Sequence, residues 1–284
     1  MEKKKPIYSH SRLSTFEQCP FKFKLRYIDK IIPEIEQSIE SLLGSCVHET
    51  FEWLYTQLKE KNIPTLDEII IHYSELWQEK FNGNILIVKN HLSEKDYFNK
   101  GVQFIVNYYT KHHPFDDNTL ELEKKILLAL DEDGEYKIQG FIDRLVYNLK
   151  TKEYEVHDYK TAKYLPRQEK FDADRQLALY SIAIKELFGH DKEVCLVWHY
   201  LAHNKKICSR RTNKQLEQLK TETLELIKQI EATQKFPPYI TKLCDWCEYK
   251  TMCPAWGNSP EGKEIENQVE EEEEIENKNE LDIW

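Results

Sequence analysis

Residues 41–59, SLLGSCVHETFEWLYTQLK, place Val47, Phe51, Leu54 and Leu58 at helical spacing, with His48, Glu52 and Tyr55 along the flank of that stripe. The spacing predicts an amphipathic helix. Residues 66–82 and 94–112 predict two more, both rich in aromatics. The stretch SRLSTFEQCPFKFKLRYI (11–28) reads as a helix entered through a Ser14-x-x-Glu17 capping box and broken at Pro20, beside Cys19. The period then changes from helical to twofold. KKILLAL (124–130), the turn Asp-Glu-Asp-Gly (131–134), YKIQGFIDRLVYN (136–148) and KEYEVHDYKT (152–161) predict three antiparallel strands joined by hairpins. A helix at 172–188, a strand at 193–202 and a helix at 213–234 follow.

That order predicts an α+β fold: a central mixed sheet flanked by helices, with a helical insertion at about 60–123 near the N-terminus. With only 8 Gly and 10 Pro in 284 residues, a sandwich or barrel of many short strands is disfavoured. The aromatics of the insertion, among them Trp77, Phe98, Tyr108 and Tyr109, are expected to pack a core rather than stack on bases.

The second hairpin carries the first chemical signal. With a four-residue turn at 149–152, Asn148 faces Glu153, and equal steps outward set Asp143 across from Asp158. Directly opposed like charges are destabilising unless something neutralises them. Asp143 extends a face with Phe141, Leu145 and Tyr147, and Asp158 one with Tyr154 and Val156, so both acids are expected on the apolar side of the sheet, where burial raises the cost. A divalent cation resolves the conflict, and hard oxygen ligands suit Mg²⁺ or Mn²⁺. Lys160 shares the face of Asp158 and would stand beside that ion as a cation able to stabilise charge on a phosphoryl oxygen. The plain alternative is a strand end running into solvent with a surface ion pair.

Charge refines the picture. The net charge is −10, but residues 258–284 hold 11 acidic and 2 basic residues, leaving −1 for residues 1–257. The glutamate-rich end reads as a disordered tail, and its apolar tip, Leu281, Ile283 and Trp284, as a segment able to dock in a basic groove. Lys205, Lys206, Arg210, Arg211 and Lys214 form one basic cluster, and Lys22, Lys24, Arg26 and Lys30 another, each suited to phosphates or simply solvated. The chain opens without an apolar leader and has no run of 18 apolar residues, so a cytoplasmic protein without membrane contact is expected. Seven cysteines in such a chain suggest metal binding or buried thiols rather than a disulfide framework. Cys244-x-x-Cys247 and Cys253-Pro254 supply three thiolates where a closed metal site wants four; Cys46 and Cys195 read as buried apolar residues and Cys208 as incidental.

The run GFIDRLVY followed by VHDYKTAK resembles the PD-(D/E)XK nuclease superfamily, in which an acid on one strand and an acid-x-Lys on the next build a metal site; Asp143, Asp158 and Lys160 match. GSCVHETFE resembles the Gly-x-x-x-His helix of the RecB-like and AddB-like branch and its CRISPR-associated relatives, and RQLALYSIAI its Gln-x-x-x-Tyr motif. The resemblance implies a restriction-endonuclease-like α/β/α core, His48 and the Tyr159 carbonyl as further metal ligands, and Gln176 and Tyr180 as orienting or DNA-contacting groups. It also implies Cys19, in its Cys-Pro context, as the fourth ligand of a [4Fe-4S] cluster with Cys244, Cys247 and Cys253; structural zinc is the alternative.

The expectation is a single iron-sulfur nuclease domain over residues 1–257 with an acidic tail at 258–284. It would be a metal-dependent deoxyribonuclease acting on single-stranded DNA or DNA ends, an exonuclease in repair, recombination or CRISPR-type adaptation. The rivals are a DNA-binding module without cleavage, and a nuclease subunit working with a separate helicase, since no Gly-x-x-x-x-Gly-Lys-[Ser/Thr] loop occurs in the chain.

Overall fold

The computed structural model describes residues 5–256. The acidic tail and its apolar tip lie outside the described residues. In chain order the elements are β1 (Tyr8–Ser9), α1 (His10–Gln18), α2 (Pro20–Phe23, running on as a π-helical turn, Lys24–Ile28), β2 (Gln37–Ser38), α3 (Ile39–Lys59), α4 (Leu66–Lys80), β3 (Ile85–Leu86), α5 (Glu94–His112), β4 (Thr119–Ala129), β5 (Lys137–Asn148), β6 (Glu153–Lys160), α6 (Gln168–Asp172), α7 (Arg175–Phe188), β7 (Val194–Tyr200), β8 (Lys205–Arg210) and α8 (Asn213–Ala232).

The sheet is mixed. β4 pairs antiparallel with one edge of β5, while β6 and the short parallel β1 share the other; β6–β7 is parallel and β7–β8 antiparallel. A parallel neighbour needs a crossover, and α6 and α7 provide it. One core gathers α1, α7 and α8 against Ile142, Val156, Leu196 and Trp198; a second gathers α3, α4 and α5 with Tyr159. The sheet is thus the middle layer of three, in agreement with the α+β, helix-flanked mixed sheet expected from the sequence. Trp77 and Tyr108 are buried and Phe98 and Tyr109 half-buried in the second core, each large buried side chain contributing on the order of 1.5–3 kcal/mol. Among the described residues no helix is long and apolar enough to cross a membrane.

Several local expectations are corrected. α1 is capped by Ser9, whose hydroxyl accepts from the Arg12 N–H at 3.1 Å, so Ser14 lies inside the helix and bonds His10 Nε2 instead of forming a capping box. The helix expected over 172–188 begins at Arg175, because Asp174 turns extended and its carboxylate caps α7 by accepting from the Leu177 N–H at 2.9 Å; a separate short helix, α6, ends at Asp172. The strand already begins at Thr119, inside the range read as helical insertion. Residues 205–210, read only as a basic cluster, form the edge strand β8. Tyr55, placed on a helix flank, is buried with its hydroxyl 2.7 Å from that of Tyr108.

Candidate active site

The hairpin register is the one derived by counting: Asn148 faces Glu153 and Arg144 faces His157. The ladder stops there, one step short of Asp143 and Asp158. β6 keeps its pairing with β7 as far as Lys160, while β1 takes up the freed edge of β5 at Ile138 and Gln139. The strands therefore part where the two acids stand, and the Asp143 carboxylate accepts from the Tyr159 N–H at 3.1 Å in place of a ladder bond.

The common apolar face is a correction. Phe141 is 49% exposed, while Ile138, Ile142 and Leu145 join the α7-side core. Ile142 and Leu145 are three residues apart, which strict alternation forbids, so β5 rolls about its axis at Asp143. The partner strand β4 is also irregular, with a register shift between Thr119 and Glu121 and Glu123 at φ +42°.

His48 comes from α3. Its Nδ1 lies 3.1 Å from Asp143 Oδ2, and its Nε2 donates to the Tyr159 carbonyl at 2.6 Å. The helix sits close to the end of β6, since a Cβ on Gly44 would meet Thr161 Oγ1 at 3.6 Å. Asp158 is 5% exposed; Lys160 Nζ donates to its Oδ1 at 3.0 Å. Its buried Oδ2 lies 2.8 Å from the same ammonium but accepts no hydrogen bond. Asp143, Asp158, Lys160, His48 and the Tyr159 backbone are thus brought to one place.

The electrostatics follow from that crowding. Burial pushes the Asp158 carboxyl up, Lys160 draws it down and Asp143 pushes it up again, leaving it at about 6. Burial works against charge on His48, but the Asp143 hydrogen bond and charge, with Asp158 and the Tyr159 carbonyl, outweigh it and raise the ring to about 9. Burial likewise opposes charge on Lys160, and Asp158 more than restores it, so the ammonium is held above its usual range.

The donor set fits a small hard cation once His48 gives up its proton: two carboxylates, a carbonyl and then an imidazole, with one buried carboxylate oxygen accepting no hydrogen bond. Among the described residues no three His, Cys, Asp or Glu side chains already converge on one point. The groups instead satisfy each other, His48 spanning Asp143 and the Tyr159 carbonyl.

Gln176 and Tyr180 share a face of α7, Gln176 Nε2 donating to the Tyr180 hydroxyl at 3.4 Å. The Tyr180 ring lies on β5 at Gly140, where a Cβ would come within 2.5 Å of it.

Cys19, Cys244, Cys247 and Cys253 line one pocket. The Cys19 sulfur accepts from the N–H groups of Lys22 at 3.5 Å and Tyr239 at 3.4 Å, and the Cys244 sulfur from Thr241 at 3.4 Å. Cys46 and Cys195 are buried, and Cys208, exposed on β8, stands opposite Val197 of β7; all three are free thiols.

The basic clusters are less open than their composition suggests: Lys22 and Arg26 meet Glu248, Lys24 meets Asp29, Lys206 meets Glu155 and Arg210 meets Glu153.

Two groups escaped the sequence reading. Glu123 faces the same open pocket as His48, Glu49, Glu52 and Asp143, and burial, then Asp143, pushes its carboxyl up to about 7. Its place depends on the β4 irregularity, which has no local sequence signal. Behind the hairpin, Arg144, Glu155, His157 and His199 form a buried network. Here a signal existed, because the count that opposes Asp143 and Asp158 also opposes Arg144 and His157.

A family model described as the PD-(D/E)XK nuclease superfamily matches residues 7–254. No curated protein matches the chain. Among solved structures the chain is similar to a "Putative exonuclease" from Eubacterium rectale, at 11% identity over 86% of this chain and 88% of that one, with a TM-score of 0.52; the likeness is one of fold. It is also similar to SSO0001, at 14% identity over 90% of this chain and 89% of that one, with a TM-score of 0.41.

Proposed function

The chain belongs to the PD-(D/E)XK nuclease superfamily, and we propose that it is a metal-dependent deoxyribonuclease of the RecB/AddB-like branch, hydrolysing phosphodiester bonds in single-stranded DNA or at DNA ends as an exonuclease. The observation that carries this reading is Asp158. A carboxylate 5% exposed, beside a second acid and with one oxygen that accepts no hydrogen bond, is balanced only by the Lys160 ammonium, and a divalent cation would complete it.

Nucleases of this superfamily generally use Mg²⁺ or Mn²⁺. Asp143, Asp158, His48 and the Tyr159 carbonyl would hold the ion, which when bound polarises a phosphoryl oxygen and acidifies water. Lys160 keeps its proton against Asp158 and presents a fixed positive charge to the oxygen on which charge develops. Gln176 and Tyr180, held together on α7, orient the DNA strand.

We assign a [4Fe-4S] cluster to Cys19, Cys244, Cys247 and Cys253, with structural zinc as the alternative. Backbone N–H groups aimed at the Cys19 and Cys244 sulfurs suit thiolates. The four cysteines line one pocket at the junction of the N-terminal helices and the C-terminal segment. The cluster would staple residue 19 to residue 253 and make residues 1–257 one domain. A brown, anaerobically purified protein containing iron and sulfide supports the assignment, and a colourless protein containing zinc refutes it.

The setting we propose is cytoplasmic DNA repair, recombination or CRISPR-type adaptation, beside a helicase or adaptation partner. The test is incubation with Mn²⁺ and end-labelled single-stranded or duplex DNA. Shortening of the single strand, abolished by Lys160→Ala, is expected; a shift in mobility without any shortening would make the protein a binding module instead.

A further inference from the structure

The side chain immediately after Asp143 is the least expected in the sheet. Arg144 is 1% exposed, on a strand between Asp143 and Leu145, yet every arm of its guanidinium is engaged. Nε donates to the Tyr159 hydroxyl at 3.0 Å; Nη1 meets the Asp117 carboxylate and donates to Thr119 Oγ1 at 3.2 Å. Nη2 lies 2.9 Å from His157 Nδ1 and 3.5 Å from the Tyr108 hydroxyl, and the guanidinium carbon sits 4.0 Å from the centre of the Tyr55 ring. Beyond it His157 donates from Nε2 to Glu155 at 2.8 Å and meets His199 at 2.8 Å.

A buried ion pair is weak evidence for stability, because apolar residues of the same volume often serve as well or better. What Arg144 does that an apolar residue cannot is fix a relation between two strands after their ladder has ended. Its backbone follows Asp143, and its Nε holds the Tyr159 ring. The Tyr159 N–H in turn holds the Asp143 carboxylate, and the Tyr159 carbonyl holds His48. One rigid fork therefore spans both sides of the gap in which the two acids stand. We infer that Arg144, acting through Tyr159, is a positioning residue that sets the spacing of the metal-binding groups Asp143, His48 and the Tyr159 carbonyl.

This inference rests on the metal site proposed above, and Mn²⁺ binding to the full chain, read from the paramagnetic resonance signal of free Mn²⁺ without DNA, tests both separately. Tyr159→Phe removes only the hydroxyl, and Arg144→Lys keeps the charge but loses the fork. Each is expected to weaken Mn²⁺ binding about tenfold, the scale for groups that orient metal ligands. Their combination is expected to weaken it no further than Arg144→Lys alone, since both cut one path. Tyr73→Phe, which removes a buried hydroxyl bonded to the Phe98 carbonyl at 3.3 Å in the same helical layer, is expected to leave Mn²⁺ binding unchanged. Asp158→Ala is expected to abolish binding at this site. Wild-type Mn²⁺ affinity in Asp158→Ala would sink the site itself. Loss in Asp158→Ala with wild-type affinity in Tyr159→Phe would sink only the role given to Arg144. Should Arg144→Lys fail to fold, Tyr159→Phe decides alone.

Discussion

The two faces of β6 bury polar residues on opposite terms. On one face Glu155, His157 and Tyr159 are all inside the protein, and each is bonded: Glu155 to His157 and Asn148, His157 to Arg144 and His199, Tyr159 to Arg144 and Tyr108. On the other, Val156 enters the core, but Asp158 keeps an oxygen without a hydrogen bond and Lys160 is a third exposed. Asp158 is as buried as Glu155 and His157; its bonding is less complete. A polar cluster that satisfies itself holds the sheet in shape, whereas one left short beside an opening is prepared for something that arrives later.

The contrast is broken or sharpened first at Asp158. Asp158→Asn should lower Mn²⁺-dependent cleavage by about a thousandfold or more, because the site loses charge where the ion and phosphate must be held. Melting temperature should hold or rise, since burial already disfavours the charged form. Glu155→Ala should do the reverse. It leaves His157 and Asn148 without their acceptor in a buried place, at a cost of about 2–3 kcal/mol in denaturant unfolding, while the folded fraction still cleaves. If Glu155→Ala were dead and fully stable, the distinction between the faces would be lost.

The same contrast explains what the sequence made legible. Periodicity announced α3, α4, α5 and the strands of the meander, and the hairpin count fixed the register that sets Asp143 near Asp158. Periodicity could not announce β8, whose KKICSR pattern carries too little apolar signal for an edge strand buried mainly at Ser209. Nor could it reveal that β5 rolls at Asp143, because that turn is imposed by Ile142 and Leu145 packing into one core while Arg144 serves the other side. Glu155 and His157 look like a solvent face by composition. Only the helices α3–α5, packed across that side of the sheet, turn them into an interior.

Smaller effects follow on each side. Gly140→Ala pushes a methyl into the Tyr180 ring and should cost about 1–3 kcal/mol by overpacking, with Gln176 displaced from Tyr180; Tyr180→Ala in the same chain should relieve much of that cost. On the far side, burial, then the charges of Arg144 and Lys111, lower His112 from its usual 6.5 to about 4. The unfolded chain takes up a proton below pH 6.5 that the folded state refuses. Stability should therefore be fully present above that pH and fall as acid is added down to pH 4. Urea unfolding of His112→Phe should show this acid slope reduced by up to about one proton.

The central claim is that Asp143, Asp158, His48 and the Tyr159 carbonyl surround one divalent cation. Anomalous scattering from crystals soaked in Mn²⁺ tests it most directly. The account predicts a manganese peak in contact with those four groups and beside Lys160, absent from Asp158→Asn crystals. A peak lying elsewhere, or His48 still bridging Asp143 and the Tyr159 carbonyl in saturating Mn²⁺, would contradict it.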